Sequence, residues 1–175
     1  MAHALKPQAA RSRGLTLLEL MIALAMLAVV ASLALPGFGA AAERARLKNS
    51  AETLAADLAE ARFEAANRGQ ALVVDFRGGA NWCWSVATAP GCDCSGTAVP
   101  QCQLKGVHAS EHAGIELLQS HATVFDPTGA VAGTASAGGA LFQSARGDRL
   151  RVSVSPLGRA TICVAAGTVA GYMAC

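Results

Sequence analysis

The segment RGLTLLELMIALAMLAVVASLALP at residues 13–36 decides how this chain is organised. Its apolar run from Leu15 to Leu35 contains a single charged side chain, that of Glu19. At about 1.5 Å per residue, the run spans roughly 30 Å as a helix, which is the thickness of the hydrocarbon core of a bilayer. A carboxylate inside a membrane span costs on the order of a few kcal/mol unless it is paired, so Glu19 indicates a functional position. We expect its partner to be a positively charged N-terminus.

The residues on either side of the apolar run predict its orientation. Lys6, Arg11 and Arg13 precede it and no acidic residue does, so the positive-inside rule places this end in the cytoplasm. Pro36 and Gly37 then interrupt the helical pattern, and an ordinary soluble sequence follows. The rest of the chain is therefore predicted to lie in the periplasm or beyond.

Other interpretations of this segment remain. A secretory signal peptide could be cleaved near 40–42, but its apolar region would have about 7–15 residues, and this run is longer and contains Glu19. A plain membrane anchor would leave Glu19 unexplained. A buried helix of a soluble protein is disfavoured because the run is apolar on all its faces.

A second helical pattern follows the apolar run. Apolar residues recur at alternating steps of four and three and form one stripe: Leu47, Ala51, Leu54, Leu58, Ala61 and Ala65. Glu64 and Arg68 form a favourable i, i+4 pair, and Gly69 is a suitable stop signal. The stripe predicts a helix that docks on the protein's own sheet, with a coiled-coil seam as the alternative.

After Gly69 the period changes from that of a helix to that of strands. Strands are predicted at residues 71–77, 82–87, 114–118, 122–125, 140–143, 149–154 and 160–164. A disulfide-tied loop is predicted at 88–101, and a flexible loop rich in Gly, Ala, Ser and Thr at 129–139. The fold class is therefore α+β, with a long N-terminal helix packed on an antiparallel sheet.

All six cysteines follow residue 82, which is typical of a small domain stabilised by disulfides in an oxidising compartment. Local pairing is the simplest arrangement within each of two groups, namely Cys83, Cys92, Cys94 and Cys102, and Cys163 and Cys175. We predict the bond between Cys163 and Cys175, and the other pairings stay open among the roughly 15 connectivities that six cysteines allow.

A zinc site is the alternative for part of this set. Cys92 and Cys94, with His108, His112 and His121, could in principle ligate zinc, but Cys-x-Cys lacks the spacing of about two to four residues that is usual in structural zinc sites. We therefore predict disulfides, surface histidines and no metal.

Charge and motifs disfavour two other function classes. The formal net charge is +2, and a leader ending at residue 14 would remove three basic residues and no acidic one, which leaves 11 basic against 12 acidic side chains. No global positive charge then attracts nucleic acid. No nucleophile elbow, phosphate-binding loop or paired-acid arrangement predicts catalysis, so we expect neither catalytic residues nor a cofactor.

The stretch from Arg13 to Leu20 resembles the prepilin peptidase site of the type IV pilins and pseudopilins. A short basic leader ends in Gly14, and a hydrophobic helix follows with Glu19 at its fifth position. The resemblance implies cleavage after Gly14 and N-methylation of Leu15, where the family usually has Phe. Pro36 lies where such pilins commonly have a helix-breaking proline. In a filament, the new ammonium of Leu15 would neutralise Glu19 of a neighbouring subunit.

The same resemblance implies partners and a location. The partners would be the prepilin peptidase, other major and minor pilins, and the inner-membrane assembly platform. The precursor would be a single-pass protein of the bacterial inner membrane with a periplasmic C-terminal domain, and after assembly it would lie in a pilus or pseudopilus. The implied organisation is a leader at 1–14, a membrane-spanning and filament-core helix at 15–36, an amphipathic second helical half at 37–69 and a β-rich head at 70–175.

Later segments narrow the resemblance to the GspH/FimT family of minor pilins and pseudopilins. They are residues 125–129, the stretch 154–163 and the ending 171–175, which occur in the order seen in that family. Most members of the family help to initiate a pilus or a type II secretion pseudopilus. The six cysteines and the Gly-Tyr-x-x-Cys ending favour the pilus.

Some FimT-type members instead bind DNA in natural transformation through a Gly-Arg-x-Arg motif, so DNA is the alternative partner. Here Gly158 and Arg159 match this motif, but Thr161 replaces its second Arg. Each lost phosphate contact weakens binding.

Other basic residues are close enough in sequence to compensate, namely Arg146, Arg149 and Arg151, although Asp148 lies among them. In the simplest hairpin, Arg159 would lie opposite Val154, with Arg149 and Arg151 on the other face. Trp82 and Trp84 could stack on bases, although we expect one of the two in the core.

Overall fold

The computed structural model describes residues 16–95, 102–133 and 138–175. Helix α1 extends from Leu17 to Arg68. At its C-terminal end the amide of Gln70 donates to the carbonyl of Ala65, and Gly69 adopts a φ of 60°, the left-handed conformation that ends many helices. The chain divides into two compact units between Gly39 and Ala40, so the second unit contains the later part of α1 and all the strands.

The strands form two four-stranded sheets rather than one, and all strand pairs within them are antiparallel. The strands are β1 Leu72–Arg77, β2 Cys83–Ala87, β3 Gln103–His108, β4 Ile115–His121, β5 Thr123–Phe125, β6 Gly139–Ser144, β7 Arg149–Val154 and β8 Ala160–Ala166. The first sheet has the order β3-β2-β1-β5 and the second β4-β6-β7-β8. A 3-10 turn at Ala109–Glu111 follows β3.

The apolar stripe of α1 forms the centre of the core. All six of its residues are at most 1% exposed, and they share one cluster with side chains from both sheets. Trp84 of β2, Phe142 of β6 and Leu150 of β7 are among the large side chains that the sheets contribute. The α+β arrangement of a long helix packed on antiparallel strands is confirmed, and the stripe docks on the protein's own sheets as predicted.

Two details of the predicted fold are wrong. Strand β3 was not predicted, because Gln103–His108 has no clear alternation and forms a partly exposed edge. Trp82 and Trp84 are both buried, since residues two apart on an extended segment share a face. Their rings stack on each other with centroids 5.6 Å apart, so neither is available to stack on a base.

Three disulfides connect the six cysteines: Cys83–Cys94, Cys92–Cys102 and Cys163–Cys175. The first two hold the loop after β2 against that strand, where Ser85 also donates to the carbonyl of Cys92. This contact buries the second face of β2, so all five of its residues are buried. The predicted loops at 88–101 and 129–139 lie partly outside the described residues, and their described parts contain no strand before Gly139.

Candidate functional site

The first part of α1 exposes its apolar side chains. The large hydrophobic residues from Leu17 to Val30 are between 49% and 77% exposed. Among the described residues, no single helix is long and apolar enough to cross a membrane. Two segments of α1, Leu17–Ser32 and Gly37–Arg68, are long and apolar enough when they are taken together. Helix is assigned on both sides of Pro36, and the helix break there stays a prediction. A large exposed apolar surface of this kind is typical of a segment that contacts a membrane or neighbouring helices.

Glu19 lies at the exposed beginning of α1. Its backbone amide donates to the hydroxyl of Thr16 at 3.2 Å, so Thr16 caps the helix and Glu19 occupies its third position. A carboxylate in the first turn also interacts favourably with the helix dipole. Gly14 and Leu15, the predicted processing residues, lie outside the described residues.

The second part of α1 has a buried polar contact that the sequence did not predict. Asp57 is 1% exposed and accepts a hydrogen bond from the indole of Trp84 at 2.8 Å. The ammonium of Lys105 on edge strand β3 lies 2.7 Å from the other carboxylate oxygen and 3.1 Å from Glu60. The hydrogen bond to Asp57 raises the pKa of Lys105. This contact joins the helix to both β2 and β3.

His112 is the second unexpected group, because it is buried rather than on the surface. Its Nδ1 lies 3.0 Å from the hydroxyl of Ser50 on α1, and its ring stacks against Trp82 and Trp84. Burial lowers the pKa of His112 below its usual 6.5. The neutral imidazole therefore belongs to the packing between the helix and β2.

The C-terminal segment also contacts α1. Tyr172 donates a short hydrogen bond to Glu52, and the ammonium of Lys48 lies 5.6 Å from the centre of the tyrosine ring. Burial, together with the neighbouring carboxylate of Glu52, raises the pKa of Tyr172 to about 12. With the disulfide between Cys163 and Cys175, these contacts hold the segment against the helix and β8.

The outer face of the second sheet carries three of the four predicted DNA-binding arginines. Arg149 and Arg151 are exposed on β7 and alternate with buried residues. The turn before β8 pairs the amide of Ser155 with the carbonyl of Arg159, so Arg159 lies opposite Ser155 and not opposite Val154 as predicted. Because Ser155 is six residues from Arg149 and four from Arg151, and lies opposite Arg159, all three arginines share one face. The prediction that they lie on opposite faces is wrong, and we call this surface the arginine face.

The cause of this register is the turn itself. Pro156, Leu157 and Gly158 form a three-residue loop, in which Gly158 has a φ of 75° and donates to the carbonyl of Ser155. A two-residue loop would instead have placed Arg159 opposite Val154. One additional loop residue therefore moves the arginine to the outer face.

Arg146 and Asp148 have partners elsewhere. Arg146 forms an ion pair with Glu43 at 3.0 Å, and Asp148 forms one with Arg44 at 3.1 Å. Both partners belong to α1, so this pair of ion pairs connects the turn between β6 and β7 to the helix. Arg146 consequently does not join the arginine face, and Asp148 reduces its positive potential less than the sequence suggested.

Gly158 has a packing role. Its φ is positive, and a Cβ at this position would lie 2.5 Å from the carbonyl oxygen of Gly129. The guanidinium of Arg62 on α1 donates to the same oxygen at 3.0 Å. Asp126 holds that loop by accepting bonds from Thr128, which lower the pKa of its carboxyl group. Two loops and the helix thus meet where only glycine fits.

Two models of known families match this chain, one in its N-terminal segment and one after residue 50. A sequence model described as the type II transport protein GspH matches residues 50–158, which is more than half of the chain. The chain belongs to the GspH family. The prokaryotic N-terminal methylation motif also matches, at residues 9–35. No curated protein and no solved structure matches this GspH-family chain significantly.

Family membership gives the coarse function. The GspH match and the methylation motif together identify a pseudopilin or minor pilin of a type II secretion system or a pilus, and proteins of this family are structural subunits. Within the described ranges, no group of three or more His, Cys, Asp or Glu residues is arranged to hold a metal. Cys92 and Cys94 are bonded to other cysteines, so they are not available as thiolate ligands.

Proposed function

We propose that this protein is a minor pilin that helps to initiate or assemble a filament, and that the filament is a type IV pilus. The exposed apolar surface between Leu17 and Val30 carries this proposal, because it needs a membrane before assembly and neighbouring helices afterwards. The six disulfide-bonded cysteines favour a domain exposed to an oxidising exterior, which suits a pilus head. A type II secretion pseudopilus is the other filament in which the same helix would serve.

Processing and assembly would use different residues of the N-terminal region. A prepilin peptidase would cleave after Gly14, and Leu15 would supply the methylated amine. The carboxylate of Glu19 would then pair with that amine on a neighbouring subunit, so that two charges neutralise each other in an apolar helix bundle. The precursor would be anchored in the inner membrane with its head in the periplasm.

The test compares Glu19→Gln with Thr16→Ala in cells that assemble the filament. Glu19→Gln removes the charge and keeps the side-chain size, whereas Thr16→Ala removes the helix cap and keeps the carboxylate. We expect both variants to be cleaved, as measured by the mass of the membrane-bound protein. We expect Glu19→Gln to be depleted from sheared filaments by about tenfold or more, a loss of at least about 1.4 kcal/mol. Normal filament content of Glu19→Gln would show that charge pairing is not required.

DNA binding during natural transformation is the second candidate function, and the shared face of Arg149, Arg151 and Arg159 favours it. Among the described residues, other arginines form ion pairs with carboxylates at 3.1 Å or less, but none of these three arginines does. Their charges therefore remain available to phosphates. Arg149 donates to Gln143 at 2.6 Å, which orients its guanidinium along the sheet.

The DNA test uses the full chain in nanodiscs of zwitterionic lipid, titrated with a labelled single-stranded oligonucleotide at low and moderate salt. Arg159→Gln should weaken binding and reduce the salt slope by about one phosphate contact. Arg68→Gln is the matched control, because Arg68 is an exposed arginine of α1 that pairs with Glu64. If both variants lost the same amount of DNA affinity, or if the wild type bound no DNA at low salt, assembly would remain as the function of the head.

A further inference from the structure

A small cavity lies on the arginine face beside Arg151. It has a volume of about 80 Å³ and is lined by residues of β4, β6 and β7, including Gln119, His121, Gly139, Arg151 and Ser153. One water molecule needs roughly 10–15 Å³ of such space, so the cavity has room for a tetrahedral anion. We call it the His121–Arg151 cavity.

The register explains why these side chains meet. Gln119 pairs with Leu141, which pairs with Arg151, and these three residues form one row across the sheet. In the next row His121 pairs with Gly139, which pairs with Ser153. Gly139 contributes no side chain, so the second row leaves a gap between His121 and Ser153.

The lining has the chemistry of an anion site. Its polar side chains offer a guanidinium, an imidazole, an amide and a hydroxyl, and none of the lining residues is acidic. Among the residues that the structure describes, Arg151 has no ion-pair partner. A guanidinium on an open surface next to a cavity is well suited to a phosphate, which it can bind through two parallel hydrogen bonds.

The cavity also adjoins the position where the DNA-binding motif of the family is incomplete. Thr161, which replaces the second arginine of that motif, pairs with Ser153 and bonds to its hydroxyl at 3.1 Å. An arginine at residue 161 would extend over the same row. Arg151 on the neighbouring strand β7 supplies a positive charge beside this row instead.

We propose that the His121–Arg151 cavity binds one phosphate group of a nucleic acid, with Arg151 as the cation and the imidazole of His121 as a hydrogen-bonding neighbour. This inference rests on the second candidate function, DNA binding by the arginine face. The ligand class is a phosphate or phosphodiester anion.

The charges around the cavity also favour an anion. From β7 the cation Arg151 and the neutral Ser153 face the cavity, from β6 Gly139 adds no charge, and on β4 Gln119 is neutral. The acidic residue on the same face of β4 is Glu116, which is paired with Gln143 at the far end of the strand.

The experiment titrates the same oligonucleotide into the full chain in nanodiscs at low and moderate salt. The variants are His121→Gln and Arg151→Gln, and Arg68→Gln is the control for the loss of an exposed arginine. We expect Arg151→Gln to weaken binding about two- to fivefold, as the loss of one surface charge pair predicts, and to reduce the salt slope by about one phosphate contact. His121→Gln should weaken binding by a smaller factor, whereas Arg68→Gln should bind as the wild type does.

A second measurement separates the cavity from DNA binding as a whole. Inorganic phosphate is added while the imidazole resonances of His121 are followed by NMR, with His121→Gln to assign them. A shift that Arg151→Gln abolishes, without DNA binding, would support the cavity and reject the second candidate function. DNA binding with full affinity in Arg151→Gln would overturn the cavity and keep the arginine face. No response to phosphate or to DNA would overturn both.

Discussion

The two parts of α1 use apolar residues in opposite ways. Between Leu17 and Val30 apolar side chains cover the helix and stay exposed, whereas between Leu47 and Ala65 a single stripe is apolar and fully buried. The later part finds its hydrophobic partner within the chain, in the two sheets. Among the described residues, the large apolar side chains of the earlier part stay exposed, and we propose that they find their partner in a membrane or in neighbouring subunits. One helix therefore serves as a folding element along one part and as an assembly element along the other.

The largest expected effect separates the two parts by a matched pair of substitutions. Leu54→Ala removes a fully buried side chain and should lower the free energy of unfolding by about 2–5 kcal/mol. Leu24→Ala makes the same change at a site that is 57% exposed and should alter it by less than about 0.5 kcal/mol. Denaturant unfolding of both variants in detergent measures the difference.

Equal losses of stability in these two variants would contradict the division of α1. The Leu24→Ala variant should instead show its effect in filaments, where it removes contact with neighbouring helices. Its content in sheared filaments therefore provides the second measurement.

A smaller effect is expected for the buried polar contact in the later part of α1. Asp57→Ala leaves the indole of Trp84 without its acceptor and should cost about 1–3 kcal/mol in the free energy of unfolding. Asp57→Asn keeps an acceptor for the indole and should recover part of this loss. A variant Asp57→Ala as stable as wild type would show that water replaces the carboxylate at this site.

The sequence predicted the later part of α1 well, because its evidence is local. The stripe from Leu47 to Ala65 and the stop at Gly69 are set by helical spacing and by one backbone conformation. Asp57 and His112 could not be predicted to be buried, because their partners come from distant strands. Trp84 and Lys105 contact Asp57 because β2 and β3 pair with each other beside the helix.

The pH dependence of stability gives a third test of this part of the helix. Because the pKa of His112 is lowered in the folded state, the unfolded state binds its proton first as the pH decreases. The contribution of His112 to stability is therefore complete above pH 6.5, the usual pKa, and is lost as the pH falls towards the folded value. Thermal unfolding between about pH 7.5 and 5 should show this decrease.

His112→Phe keeps an aromatic ring against Trp82 and Trp84 and removes the titrating group, so its stability should depend less on pH. His121→Gln is the control, since it removes an exposed imidazole. If the thermal stability of His112→Phe depended on pH as that of the wild type does, the acid sensitivity would come from other groups.

The smallest effect is expected at the surface of the same part of α1. Tyr172→Phe removes the hydrogen bond to Glu52 but keeps the ring under Lys48, and should cost about 0.5–1.5 kcal/mol. Hydrogen exchange of the amides of residues 167–175 should increase more than that of β7. Unchanged exchange in this segment would show that the disulfide at Cys163 holds it without Tyr172.

The arginine face was predicted only in its composition. Arg149 and Arg151 were placed on one face correctly, because alternation along a strand is local. Arg159 was placed on the wrong face because its side depends on the loop length, which has three residues here rather than two. One residue of register exchanges the two faces of a strand, and this decides whether the arginines act together.

The packing of Gly158 has a consequence for reading other sequences of this kind. Its lack of a side chain is required by the close approach of Gly129 and Arg62, whether or not the protein meets DNA. A glycine at this position is therefore no evidence of a nucleic-acid function in a homologous sequence. The informative comparison is the number of residues that separate the basic positions before and after the turn. With the spacing found here, the arginines at residues 149, 151 and 159 lie on one face of the sheet. A single residue inserted in the turn would divide them between the two faces.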